Sequence, residues 1–176
     1  DYQYRPHSAF AYYSGVQGAD ATADAVLVME PTEGGHLTYL YIHPRSTRDT
    51  DAFYRDAKYG ELWVGRRYTL DEAKARYQID TRLVSDLESF LKDGAAALII
   101  RGEDSLVDGA VKKNKREEEL QIFTSEQRLV KDEYEIREMQ KAVDASALPC
   151  ISIIKNRAAF LRSAGKILNL KNMNSK

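Results

Sequence analysis

The sequence predicts an α/β fold, a mixed β-sheet flanked by helices, and three observations carry that reading. "DAVLVMEP" (24–31) and "HLTYLYIHP" (36–44) are short apolar, β-branched or alternating runs, each closed by proline and separated by a Glu-Gly-Gly turn, which is a hairpin pattern. "TLDEAKARYQ" (69–78) opens like a capped helix. "AAALIIRG" (95–102) is a continuous apolar run of strand length, the pattern of a strand buried on both faces. Helices that alternate with short, partly continuous strands argue for layered α/β packing.

In chain order, "DYQYRPHSAFAYYSG" (1–15) carries five aromatics and ends at Gly15, so a strand or short helix running into a turn is expected. The hairpin follows. "RSTRDTDAFYRDAKYG" (45–60) is polar and long for a plain loop, and a short helix is expected around Thr50 to Ala57, with Phe53 and Ala57 on one face and Gly60 as its stop. "ELWVG" (61–65) reads as one more short strand. Thr69 as cap and Glu72 three residues on form a capping box, and Leu70, Ala73 and Tyr77 then share a face. "IDTRLVSDLESFLKDG" (79–94) reads as a strand end followed by a helix, with Leu83, Leu87 and Leu91 at i, i+4, Phe90 on the same flank, and Gly94 ending it. In "KKNKREEE" (112–119) the basic half cancels the acidic half, as on a solvated helix face.

The longest helical pattern is 125–147, with Ile136, Met139 and Val143 as an apolar stripe, Leu129 upstream and Pro149 beyond. The expected organisation is an α/β domain over 1–124, a linker helix over 125–147, and a basic tail over 148–176 that holds neither Asp nor Glu. In the tail, Ala158, Leu161 and Ile167 offer an amphipathic helix of poor register. The chain begins at Asp1 in an aromatic stretch, which reads as a piece of a longer or processed protein.

Composition narrows the function classes. With 176 residues, 43% apolar and 30% charged side chains and a net charge of -1, the chain suits one domain with a real core. The near balance of charge gives no global argument for nucleic acid or an anionic membrane, and neither is expected as a partner. A single cysteine, Cys150, excludes an internal disulfide and fits a reducing, cytoplasmic setting. No apolar run approaches a membrane span.

No pattern of catalytic chemistry stands out. His7, His36 and His43 make no close pair, and His36 and His43 lie too far apart along one strand to share an ion. Asp49, Asp51, Asp56, Asp71 and Asp80 show no spacing that forces a common site. Cys150 lacks an activating neighbour in sequence, and neither a nucleophile elbow nor a phosphate loop is present. Arg5, Arg45 and Arg48 among aromatics offer at most a weak single-strand binding pattern. No catalytic residue, metal ligand or cofactor is therefore assigned to this chain.

One cluster remains: "GELWVGRR" (60–67), which holds the only tryptophan. Trp63 offers broad apolar area and one N–H donor, and Arg66 and Arg67 can grip carboxylates or stack on rings. Two readings stand. Either Val64 packs inward and the arginines pair with Asp56 or Glu61, or the cluster is the rim of an interface or ligand channel.

"YRPHSAFAYYSGV", "DAVLVMEP", "RDTDAFYRDAKYGELWVGRRYTLDEAKARYQID" and "VKDEYEIREMQKAVDAS" occur in this order over about residues 1–146. Together they resemble the N-terminal domain of Xaa-Pro aminopeptidase (aminopeptidase P), of the creatinase-like type, closest to actinobacterial members. The resemblance implies an α/β domain with a mixed sheet, followed by a "pita-bread" catalytic domain. That second domain would hold two Mn(II)-type ions on two Asp, one His and two Glu, cleave before a proline at position two, and assemble as dimers or tetramers. It implies that Trp63 reaches the mouth of an active site, often across a subunit contact, with Arg66 and Arg67 supporting its loop. It also implies that the "SGV" turn (14–16) serves packing. After Ser146 the sequence departs from that pattern, and none of its histidines matches a family ligand. The expectation is a chain inactive alone, the product of a truncated or frame-shifted gene or half of a split protein. Its expected partners are a further copy or a catalytic domain, with proline-containing peptides as substrates of the intact enzyme. A stand-alone oligomerisation or protein-binding module is the alternative.

Overall fold

The computed structural model describes residues 4–93 and 97–147. Its first compact unit extends to Arg128 and its second begins at Leu129. In the first, helix α1 (Ser8–Ser14) leads to the hairpin β1 (Val26–Thr32) and β2 (Gly35–Ile42). Two short helices follow, α2 (Asp51–Arg55) and α3 (Glu61–Val64), then α4 (Leu70–Tyr77) and strand β3 (Asp80–Leu83). Helices α5 (Leu87–Asp93), α6 (Ser105–Ala110) and α7 (Glu117–Gln127) complete the unit.

Among the described residues the sheet has the order β1-β2-β3. β1 pairs antiparallel with β2 (Val28 opposite Tyr39), and β2 pairs parallel with β3 (Tyr41 opposite Arg82), so the sheet is mixed. β2 is the central strand, and the two-residue period of its side chains divides the core. Leu40 and Ile42 point to one face and pack with Val16, Ala73, Leu27 and Tyr77. Tyr39 and Tyr41 point to the other and pack with Val26, Val28, Leu87, Leu91 and Val107. A strand covered on both faces by helices is the layered arrangement expected from the sequence.

Local chemistry explains the elements. His7 Nδ1 accepts the Ala9 N–H (3.3 Å) at the start of α1, and the Ser14 hydroxyl accepts the N–H of Val16 (3.1 Å), whose buried side chain makes the "SGV" turn a packing element. The capping box on α4 forms in both directions. The Glu72 N–H donates to the Thr69 hydroxyl (3.2 Å) and the Thr69 N–H to the Glu72 carboxylate (3.0 Å). Leu70, Ala73 and Tyr77 share the buried face of this helix.

Several expectations change. "ELWVG" is a helical turn rather than a strand, because its N–H groups at Trp63 and Val64 return to the Gly60 carbonyl (3.0 and 3.1 Å). α2 ends at Arg55, so Ala57 lies beyond it. Residues 97–100 form no strand ladder. Ile99 covers the Tyr41 face of the sheet, and the chain turns away at Arg101, whose guanidinium takes the Glu117 carboxylate (2.7 Å) and the carbonyls of Asp108 and Val111. An apolar run specifies burial, which a covering segment satisfies as well as a strand. The same ion pair buries Glu117, while the other seven residues of "KKNKREEE" are exposed as expected, and only its acidic end, from Glu117 on, is helical. The 125–147 pattern is two helices, α7 and α8 (133–147), separated by a turn. Asp132 and Glu135 start α8 with their own reciprocal bonds, the Glu135 N–H to the Asp132 carboxylate (2.7 Å) and the Asp132 N–H to the Glu135 carboxylate (3.1 Å). In the second unit Ile136, Met139 and Val143 lie on an exposed stripe. Gly94, Cys150, Pro149 and the tail with Ala158, Leu161 and Ile167 lie outside the described residues.

Gly60 is needed for close approach. A Cβ there would sit 2.5–2.7 Å from the carbonyl oxygens of Asp56, Ala52 and Phe53, which are backbone atoms and cannot swing aside. Gly60→Ala is expected to destabilise the chain by about 2 kcal/mol through overpacking, measured by urea unfolding. An unchanged midpoint would refute the contact.

Candidate functional site: a tryptophan ledge anchored to the sheet

The octet 60–67 forms an exposed apolar ledge with a buried polar root. Trp63 is 63% exposed and Val64 49%, and Leu62 and Tyr54 are exposed beside them. The expectation that Val64 packs inward is thereby overturned, because the four-residue α3 turns both Trp63 and Val64 to the surface. The Trp63 Nε1–H donates to the carbonyl of Tyr54 at 2.9 Å, which satisfies the one polar group of the indole and ties α3 to α2. Gly65 has φ of 84°, a conformation that glycine adopts without the Cβ penalty, and it reverses the chain from ledge to root.

Arg67 is 6% exposed. Its guanidinium donates to the carbonyl of His43 at 3.2 Å, immediately past the end of β2, and lies 5.2 Å from the centre of the Tyr59 ring. Its N–H donates to Glu61 Oε1 at 3.2 Å. Glu61, 9% exposed, pairs with Arg45 (3.3 Å), and its own N–H donates to the Ser46 hydroxyl (3.2 Å). Burial lowers the Arg67 pKa from the ordinary arginine value, opposed by the nearby carboxylates of Asp56 and Glu61. Arg66 leaves the cluster, pairing with Glu72 at 2.6 Å and so reaching the capping box of α4. The Thr69 N–H, and then Arg66, hold the Glu72 carboxyl below its usual value.

The three residues singled out from sequence therefore separate. Trp63 forms the ledge, Arg67 its buried anchor, and Arg66 a surface brace. The pairing expected with Glu61 holds only through the Arg67 main chain, and the Asp56 carboxylate instead accepts the N–H groups of Lys58 and Tyr59 (2.9 Å each).

Tyr59, Asp24 and His43 complete the root. The Tyr59 ring stacks on the His43 imidazole with centroids 3.8 Å apart and planes 21° apart. Its hydroxyl donates to Asp24, as does the Lys58 ammonium. Burial raises the Asp24 pKa, but these two donors outweigh it and hold the carboxyl below the usual range. Beside this root, at the carboxyl ends of β2 and β3, lies an open cavity of about 510 Å³ lined by Asp24, His43, Lys58, Tyr59, Glu103 and Ser105 among others.

The arrangement holds a surface in place. Among the described residues no group of three or more His, Cys, Asp or Glu side chains is placed to bind a metal ion. His7 caps α1, His36 is an exposed strand residue, and His43 stacks on Tyr59, so the described histidines do not fit a two-metal centre. No described helix is long and apolar enough to cross a membrane.

Comparison with known proteins identifies the family of the chain. The family described as "Aminopeptidase P, N-terminal domain" matches residues 1–99. The chain is 41% identical over 159 residues to Xaa-Pro aminopeptidase 1 of Streptomyces coelicolor, covering 88% of this chain and 31% of that protein. Its counterpart in Streptomyces lividans gives the same figures. Xaa-Pro aminopeptidase 2 of Streptomyces coelicolor is 37% identical over 152 residues, covering 82% of this chain and 31% of the relative. The chain thus spans about a third of the length of these relatives. No solved structure matches it. The mixed sheet with helices on both faces and the family match over more than half of the sequence place the chain in the aminopeptidase P N-terminal domain family.

Proposed function

We propose that this chain serves as the N-terminal, non-catalytic part of an Xaa-Pro aminopeptidase, and that its Trp63 ledge borders the peptide channel and contributes to subunit assembly. The carrying observation is the combination at 60–67 of an exposed indole and a buried anchor: Trp63 is held out by its bond to Tyr54 while Arg67 ties the same loop to the end of β2. Large apolar side chains held rigidly at the surface lower the entropy cost of binding and suit contact with a partner. Trp63 provides the contact area, Arg66 braces it against α4, and Arg67 sets its position. The metal-dependent chemistry, on Mn(II) or a similar ion, belongs in this reading to a catalytic domain outside these 176 residues. The partners are that domain, further copies of the chain and proline-containing peptides, in the cytoplasm. The exposed stripe of Ile136, Met139 and Val143 on α8 favours a second reading, a stand-alone oligomerisation module.

The test uses the chain alone and a chimera in which it replaces the matched region of the Streptomyces coelicolor Xaa-Pro aminopeptidase 1. The chain alone, with added Mn(II), is expected to release no N-terminal residue from an Xaa-Pro peptide. Chelator-sensitive turnover by the chain would overturn its non-catalytic assignment. In the chimera Trp63→Ala is expected to lower kcat/KM for that peptide by about tenfold, roughly 1.4 kcal/mol. Unchanged turnover together with unchanged subunit assembly would rule out the ledge's role.

A further inference from the structure

Tyr59 links three segments of the ledge's root. Its ring stacks on His43 at the end of β2, its hydroxyl donates to Asp24 ahead of β1, and the buried Arg67 guanidinium lies 5.2 Å from its ring centre. The Arg67 guanidinium is in turn bonded to the main-chain carbonyl of the same His43. The stack therefore sits between a buried cation and the sheet, and the imidazole within it is the group that can change its charge near neutral pH.

We propose that Tyr59 is the positioning residue of the Trp63 ledge, and that its stack on His43 makes the ledge release when the imidazole is protonated. The proposal rests on the reading of Trp63 as a contact surface and adds a means of regulating it. The groups around His43 set the direction. Arg67 approaches from the segment after α3, and Lys58, Tyr59 and Asp56 come from the α2–α3 connection. Asp24 lies ahead of β1, and Glu103 and Asp104 lie across the large cavity. Asp20, Tyr68 and Tyr77 share a small second cavity with His43, where Asp20 is already paired with Arg76 (2.6 Å) and accepts the Tyr68 hydroxyl (3.0 Å). A proton on His43 would put a second cation beside Arg67, with Asp24 already taken up by Lys58 and Tyr59. Burial, then Arg67, holds the His43 pKa below its ordinary value despite Asp24 and Asp56.

The sign follows from linkage. The folded ledge favours neutral His43, whereas the released ledge leaves it near the ordinary histidine value of about 6.5. The stabilisation is complete above that value. It declines as pH falls from there toward the folded pKa of His43.

Trp63, the single tryptophan, reports the motion without a label. The test follows its fluorescence anisotropy in the full 176-residue chain from about pH 7.5 to about pH 5, across the histidine range. The wild-type chain should show a one-proton fall in anisotropy. His43→Gln should abolish the pH step. Tyr59→Phe, which keeps the ring, should retain it, and Tyr59→Leu should show low anisotropy at every pH. A flat wild-type profile would overturn the proposal, and so would a step that persists in His43→Gln or high anisotropy in a folded Tyr59→Leu. If circular dichroism shows Tyr59→Leu unfolded, the wild-type, His43→Gln and Tyr59→Phe profiles still decide. Because no peptide takes part, a flat profile leaves the channel reading standing, and that reading fails only in the turnover assay.

Discussion

The bond from the Arg67 guanidinium to the His43 carbonyl is the constraint on which the ledge depends. A guanidinium that is almost fully buried has lost most of its water, and the cost must be met by partners in fixed positions. Those partners are the carbonyl at the end of β2, the face of Tyr59 and the longer-range fields of Glu61 and Asp56. They stand on the end of β2, the α2–α3 connection and α3, so placing Arg67 also places those three segments, and Tyr59 carries the constraint on to Asp24 ahead of β1. The reach of a single side chain thus converts a stretch of short helices and turns into a defined surface.

That surface is built on a strand packed on both faces. Leu40 is fully buried on one side of β2 and Tyr41 almost so on the other, and any displacement of the strand would open both apolar clusters at once. His43 lies one residue past β2 and is fixed by that packing. The apolar area of Trp63 and its neighbours is then left exposed on a rigid mount, which is costly for a protein that does not use it. The proposed role as a contact surface would give such a mount a use.

Much of the architecture was legible from local signals. The hairpin and the capping box at Thr69 and Glu72 each depend on residues within a few positions of one another and formed as the pattern indicated, and of the stripe Leu83, Leu87 and Leu91 the last two share α5 with Phe90 while Leu83 ends β3. The errors came where the pattern reported burial or propensity without a partner. "ELWV" has strand composition yet coils, because the Gly60 carbonyl offers its N–H groups a nearer acceptor than any strand edge. The run at 97–100 is apolar because it covers the Tyr41 face, which needs no ladder. In 125–147 the Asp132–Glu135 box was present in the sequence but lay inside a longer periodicity that concealed it. The candidate site was legible only in part. Glu61 and Arg67 are six residues apart and could be paired on sight, whereas Asp24 and Tyr59 are separated by 35 residues and His43 meets Tyr59 only through the fold.

The most direct test of the anchored ledge is amide hydrogen exchange along 60–68 in the intact chain. The N–H groups of Gly65 and Arg67, which donate to the Glu61 carbonyl and carboxylate, should exchange slowly, at rates close to those of β2, although the Trp63 side chain beside them is open to solvent. Exchange at the rate of a free loop would mean that Arg67 does not hold the segment, and the ledge would then be a loose turn without a fixed surface to offer a partner.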